Sequence, residues 1–135
     1  MTGGPALVVL RGHTDGVLSV TTLPDGHIVS GGQDTTIRIW EPSAGNPIWT
    51  LEGHEGAVSS LAASCDGQTL ASGSTDRTVR LWDPSTGQLR RIIQAHDDRI
   101  TCVAISHNGS LVVSGSYDGT IRSWDGVTGE LLRKM

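Results

Sequence analysis

The chain has 135 residues, with 14 acidic against 10 basic side chains and a formal charge of −4. That length suits about one domain, and the acidic balance argues against a nucleic-acid-binding surface, which would show as a basic face. The sequence holds no apolar run near the ~20 residues needed to cross a bilayer, so neither nucleic acid nor membrane is an expected partner.

In chain order, the first predicted element is the apolar stretch Ala6 to Leu10, which aligns with Leu89 to Ile93 further on. Three units follow that agree position by position. The first carries Gly12-His13, Val17, Leu23-Pro24-Asp25-Gly26, Val29-Ser30-Gly31-Gly32-Gln33-Asp34 and Thr36-Ile37-Arg38-Ile39-Trp40. The second carries Gly53-His54, Val58, Cys65-Asp66-Gly67, Ala71-Ser72-Gly73-Ser74-Thr75-Asp76 and Thr78-Val79-Arg80-Leu81-Trp82. The third carries Ala95-His96, Ile100, His107-Asn108-Gly109, Val113-Ser114-Gly115-Ser116-Tyr117-Asp118 and Thr120-Ile121-Arg122-Ser123-Trp124. The three Trp residues stand 42 residues apart, and a fixed period of this length marks a stacked repeat.

Each unit reads as four short strands. Asp25-Gly26, Asp66-Gly67 and Asn108-Gly109 predict two-residue hairpins of type I′. A second turn falls at Asp34, Asp76 and Asp118, and a third follows each Trp. Runs such as Thr78 to Trp82 alternate and are rich in β-formers. No segment sustains a helical period. Glu130 to Met135 is a further outer strand.

These matched positions resemble the WD-repeat family, whose units are four-stranded blades of a β-propeller. The resemblance covers about residues 6 to 135. It implies an all-β chain of three four-stranded antiparallel blades, an incomplete ring that closes by oligomerisation. Residues 1–135 then form one partial propeller. Blade 1 spans 12–52, blade 2 spans 53–94 and blade 3 spans 95–135, while 6–11 is an outer strand completing a neighbouring blade. The departures are Glu41 after Trp40, Ala95 before His96, and Ser123 where the other units have Ile39 and Leu81. Ser123 predicts poorer packing of blade 3.

His13, Ser30 and Asp34 are the residue types of a hydrolase triad. The same set recurs as His54, Ser72 and Asp76, and again as His96, Ser114 and Asp118. Three identical active sites in one small domain are improbable. The resemblance instead implies a structural tetrad in each blade, completed by Trp40, Trp82 and Trp124. An indole N–H needs a buried acceptor, and a Ser hydroxyl can accept and donate at once. No catalytic residue, metal site or cofactor is expected. His27 and His107 sit at hairpin turns and are expected to be exposed. Asp97-Asp98 lies in a polar loop. Cys65 and Cys102 lack metal spacing and read as buried thiols of an intracellular, cytoplasmic protein, with the nucleus also open.

Propellers of the resembled family are mostly docking platforms. The resemblance points three positions per blade at the face that partners bind: Gly16, Leu18 and Gln33; Ala57, Ser59 and Thr75; Arg99, Thr101 and Tyr117. Arg and Tyr are hot-spot types, which favours blade 3. The bland reading is that Tyr117 packs against neighbours and Arg99 pairs with Asp97 or Asp98. Trp49 aligns with Arg91. It reads either as an exposed contact on an outer strand or as an aromatic covering a neighbouring strand.

A blade needs neighbours on both faces. Four strands at ~4.8 Å and five residues at ~3.3 Å give each open face about 300 Å². At ~25 cal/mol/Å², covering two such faces is worth up to roughly 15 kcal/mol. The expected partner is therefore the chain itself: a homodimer makes six blades, a trimer nine, and the usual range is four to eight. Ala6 to Leu10 is expected to complete a partner's third blade and displace Glu130 to Met135. The leading function is a non-enzymatic scaffold for an unidentified protein or peptide. A self-assembling, engineered or truncated module without a dedicated partner is the alternative, and a ligand-binding or hydrolytic propeller face is a third.

Overall fold

The computed structural model describes residues 9–43, 45 and 47–135. Its strands are β1 (Val17–Thr22), β2 (Ile28–Gly32), β3 (Ile37–Trp40), β4 (Pro47–Leu51), β5 (Val58–Ala63), β6 (Leu70–Ser74), β7 (Thr78–Asp83), β8 (Gln88–Gln94), β9 (Ile100–Ile105), β10 (Leu111–Ser116), β11 (Ile121–Asp125) and β12 (Leu131–Lys134). They form three antiparallel sheets, β1 to β4, β5 to β8 and β9 to β12, each in chain order. Each sheet is one blade of the expected all-β fold.

The period-two alternation explains how blades stack, since successive side chains point to opposite faces. From blade 1, Val29, Ile37, Ile39 and Leu51 point back. They meet Val58, Leu61, Leu70 and Trp82 on the front of blade 2 in one buried cluster. The back of blade 2 repeats this with Ala71, Val79, Leu81 and Ile93 against Ile100, Val103, Val112 and Trp124. Hydroxyls reinforce both junctions. Ser19 Oγ accepts the Leu61 N–H at 3.2 Å, and its counterpart Ser60 Oγ accepts the Val103 N–H at 3.1 Å. The innermost strands β1, β5 and β9 are thus neighbours.

The equivalent positions at the two ends of the arc are uncovered. On the front of blade 1, Val17 is 52 % and Val20 65 % exposed; on the back of blade 3, Ile121 is 51 % and Met135 62 % exposed. Ser123 does not break blade 3. It is buried, within 3.5 Å of the Arg133 carbonyl across β12.

Three expectations need correction. First, the hairpins are not type I′, which requires positive φ at both central residues. Only the glycines have it, with Gly26 at 93°, Gly67 at 74° and Gly109 at 77°. In blade 1 the Gly26 N–H reaches the Leu23 carbonyl and the Leu23 N–H reaches His27, so three residues form the loop. Second, Cys65 and Cys102 are exposed, one in the β5–β6 turn and the other on an innermost strand. Third, His107 is exposed, but His27 is only half so, because its Nδ1 pairs with Asp25 Oδ2 at 2.7 Å. In the single chain β12 pairs with β11 and holds the outer slot of blade 3. Of the stretch expected to complete a neighbouring blade, residues 6–8 lie outside the described residues, and Val9 to Arg11 form no strand.

The β2–β3 type of turn stores strain in two blades. Thr35 and Arg77 adopt φ of 72° and 75°, whereas blade 3 has Gly119 there at 84°. A β-branched residue in the left-handed region is disfavoured by roughly 1–2 kcal/mol. Thr35→Gly is therefore expected to raise stability by about 0.5–1 kcal/mol, after the glycine's greater unfolded-state entropy is subtracted. Thermal unfolding measures it, and a lower midpoint would show that the Thr35 side chain matters more than its backbone.

Candidate functional site

The period places one His-Ser-Asp-Trp set in each blade, and the geometry is the same three times. His13 Nε2 lies 2.6 Å from Ser30 Oγ and His13 Nδ1 3.0 Å from Asp34 Oδ2. Trp40 Nε1–H donates to Ser30 Oγ at 2.8 Å. In blade 2 the distances are 2.7 Å (His54 to Ser72), 2.8 Å (His54 to Asp76) and 2.8 Å (Trp82 to Ser72). In blade 3 they are 2.7 Å (His96 to Ser114), 2.9 Å (His96 to Asp118) and 2.9 Å (Trp124 to Ser114). The network assigns the tautomer: Nδ1–H donates to the carboxylate, and Nε2 accepts from the Ser hydroxyl.

Order and distances match those of a nucleophile, base and orienter. Access does not. Ser72 and Ser114 are fully buried, Ser30 is 5 % exposed, and each hydroxyl oxygen already accepts an indole N–H. The sets tie the two middle strands, the turn between them and the entry loop of each blade together.

Each carboxylate also takes donors that the sequence reading missed. Thr36, Thr78 and Thr120 give their Asp both a backbone N–H and a hydroxyl, the latter at 2.8, 2.6 and 2.6 Å. The signal was present as Asp-x-Thr in every unit. The Arg two residues further on leans in as well: Arg38 and Arg122 each bring a guanidinium nitrogen within 3.8 Å of their Asp. Burial pushes the Asp34 carboxyl up, but the bonds from Thr36, Thr14 and His13 outweigh it and hold it at about 2. Asp76 is lowered further against the same burial by His54 and Thr78. Asp118 is lowered first by the Thr120 hydroxyl.

The nine positions picked for partner contact converge on one end of the blades. A backbone bond joins two positions in each: Gln33 N–H to Gly16, Thr75 N–H to Ala57, and Tyr117 N–H to Arg99. Leu18, Ser59 and Thr101 are skipped by the inner-strand ladders and sit at β-bulges, which re-aim side chains. Leu18, Gln33, Thr75, Arg99, Thr101 and Tyr117 are exposed. Ser59 is already committed, donating to the Ile100 carbonyl at 2.6 Å. Arg99 does not pair with Asp97 or Asp98 through its side chain; its guanidinium lies over the Tyr117 ring at 4.4 Å.

Trp49 stands apart, at the opposite end. It is 39 % exposed, and part of its ring covers the blade 2 turn at Gly87. Trp49 is thus both exposed and laid over a neighbouring turn. Among the described residues there is no group of three or more potential metal ligands, and no helix is long and apolar enough to cross a membrane.

Comparison with known proteins agrees with this geometry. The chain is 44 % identical over 63 residues to the transcriptional repressor rco-1 of Neurospora crassa, covering 46 % of this chain and 10 % of that protein. It is 42 % identical over 62 residues to the general transcriptional corepressor TUP1 of Saccharomyces cerevisiae, covering 45 % of this chain and 9 % of the relative. The chain therefore spans only a small part of these relatives' length. The solved RRP9 WD40 repeats superpose with a TM-score of 0.90 at 25 % identity, over 95 % of this chain and 41 % of that one. The family profile described as WD domain, G-beta repeat matches residues 4–41, 45–83 and 87–125, and the chain belongs to that WD40 family.

Proposed function

We propose that this chain is a non-enzymatic protein-interaction scaffold that binds a partner protein or peptide through the end of blade 3 bearing Arg99 and Tyr117. The observation that carries it is their stacked, solvent-facing pair, 4.4 Å from guanidinium to ring. A pre-stacked cation and aromatic offer a partner a large contact at little ordering cost. Leu18 and Gln33 extend the same surface across blade 1. An intracellular location fits relatives named for transcriptional repression.

The arc itself is completed by a second copy of the chain, head to tail, into six blades. The open apolar faces of blades 1 and 3 support that assembly, and they also favour the second reading, a module whose partner is itself.

Affinity capture separates the two. Proteins retained by the wild-type chain should fall about 30-fold on an Arg99→Ala/Tyr117→Ala variant, the loss expected of a hot spot worth ~2 kcal/mol. The native mass should not change. Equal retention by both forms would sink the scaffold reading and leave self-assembly.

A further inference from the structure

Two prolines make the junction between blades 1 and 2 different from the junction between blades 2 and 3, at the end opposite Arg99 and Tyr117. In the second junction the Cys65 N–H crosses to the His107 carbonyl at 3.0 Å and ties the two inner turns together. The position of Cys65 is taken in blade 1 by Pro24, which has no N–H to give. In blade 3 the Gly126 N–H donates to the Ser110 carbonyl at 2.9 Å, and the backbone comes so near Gly109 that a Cβ there would lie 1.8 Å from its carbonyl oxygen. Blade 2 has Pro84 in that place. It can neither donate nor approach so closely, and Arg90 Nη1 takes the equivalent Gln68 carbonyl instead, at 2.8 Å.

The two missing donors leave a cleft. Its inner part, about 210 Å³, lies between Leu23 and Pro24 on one side and Gly67 and Pro84 on the other. Its outer part, about 330 Å³, is walled by Ile39, Ile48 and Trp49. Asp25, Pro84 and Ser85 line both parts, so the two adjoin. The outer end differs from its counterpart in the next junction. There Arg90 and Arg91 replace Ile48 and Trp49, Arg90 pairs with Asp83 at 3.2 Å, and Arg91 Nε donates to the Val127 carbonyl at 3.0 Å. The walls are mostly apolar, with Ser85 in both parts and His27 in the outer one, where its Nδ1 pairs with Asp25 Oδ2 at 2.7 Å; the rim carries the carboxylates of Asp25 and Asp66, and no Lys or Arg lines either part.

We propose that this cleft holds a short extended segment of a partner protein that carries bulky apolar side chains flanking a Lys or Arg. Two adjoining, mostly apolar compartments suit two side chains of one extended peptide, which project at regular spacing. The carboxylates of Asp66 in the inner part and of Asp25, which lines both, select the cation. Proline and tryptophan walls are rigid, so binding orders little of the protein. The inference is independent of the Arg99 and Tyr117 surface.

Trp49 reports on the outer compartment, because Trp40, Trp82 and Trp124 are buried. The probes are acetyl-Leu-Arg-Leu-amide and acetyl-Leu-Glu-Leu-amide, titrated into the ¹⁵N-labelled chain and followed by NMR. The arginine peptide should shift the Trp49 indole N–H and the Gly67 amide, and the glutamate peptide should bind about tenfold more weakly, the factor equivalent to ~1.4 kcal/mol. Asp66→Asn, at an exposed turn position, should remove most of that preference. Pro84→Gly, which restores a donor, should weaken both peptides. Equal shifts from the two peptides, or none at Trp49 and Gly67, would overturn the proposal. Shifts confined to Tyr117 would overturn it too while leaving the scaffold reading standing.

Discussion

Trp82→Ala is expected to lower the stability of the chain by about 3–5 kcal/mol, the usual cost of emptying a buried aromatic site. Trp82 is 2 % exposed and packs with Val58, Leu61 and Leu70 against the back of blade 1, so its loss opens a cavity at the centre of a junction. It also removes the 2.8 Å indole bond to Ser72. His54→Ala should cost about 1–3 kcal/mol by a different route, since it leaves the buried Ser72 hydroxyl and the Asp76 carboxylate without the ring that joins them. Denaturant unfolding followed by circular dichroism measures both. Losses under ~1 kcal/mol would show that the tetrads are not structural cross-links. Acid acts on the same bonds. Asp34, Asp76 and Asp118 all have folded pKa values below the ordinary 3.8, so the folded state holds fewer protons than the unfolded one in that range. Their contribution is complete above about 4 and falls away as the pH drops toward 2.

The tetrads were legible in the sequence because they are intra-blade features that repeat with the period. His54, Ser72, Asp76 and Trp82 recur at matched positions in all three units, and recurrence marks them as architecture. Thr78 was equally periodic but went unread, because a Thr at the start of a strand already has an explanation in β propensity. The hairpins were misread for a local reason. Asp-Gly is a strong type I′ signal, yet here the backbone closes around three or more residues with Gly alone at positive φ. The cleft could not be read at all. It depends on N–H groups that Pro24 and Pro84 lack, and a missing donor matters only once two blades, or two turns, face each other. Cys102 was misjudged for a related reason: a single chain leaves its strand uncovered.

That last point leads to the mass of the assembly, which is expected to equal two chains at micromolar concentration. The two intact junctions show what each open face requires. Val58 and Ile100 are buried at their junctions, nested on Gly31 and Gly73, where an added Cβ would lie 2.6 Å from a neighbouring methyl. Their counterpart Val17 is uncovered at the start of the arc, and at its end Gly115, the counterpart of those glycines, has only Cys102 and Thr101 of its own blade nearby. Ile37 and Val79 are fully buried where Ile121 is half exposed, and Leu61 and Val103 are buried where Val20 is not. A second copy placed head to tail would present a blade front to the open back and a blade back to the open front. Val20→Asp or Ile121→Asp each put a charge into both contacts of such a dimer, at a cost of several kcal/mol, and should give single chains. Mixing the two variants should restore a two-chain species, because one of its junctions then joins a native front to a native back. An isologous interface, the same patch on both partners, would give no such rescue. Cys102 adds a chemical readout. It stands where Ser19 and Ser60 accept an N–H from the next blade, so assembly should protect it from a thiol reagent while Cys65, at the far turn, stays reactive. A one-chain mass in light scattering, or two reactive thiols in the assembled species, would rule the ring out.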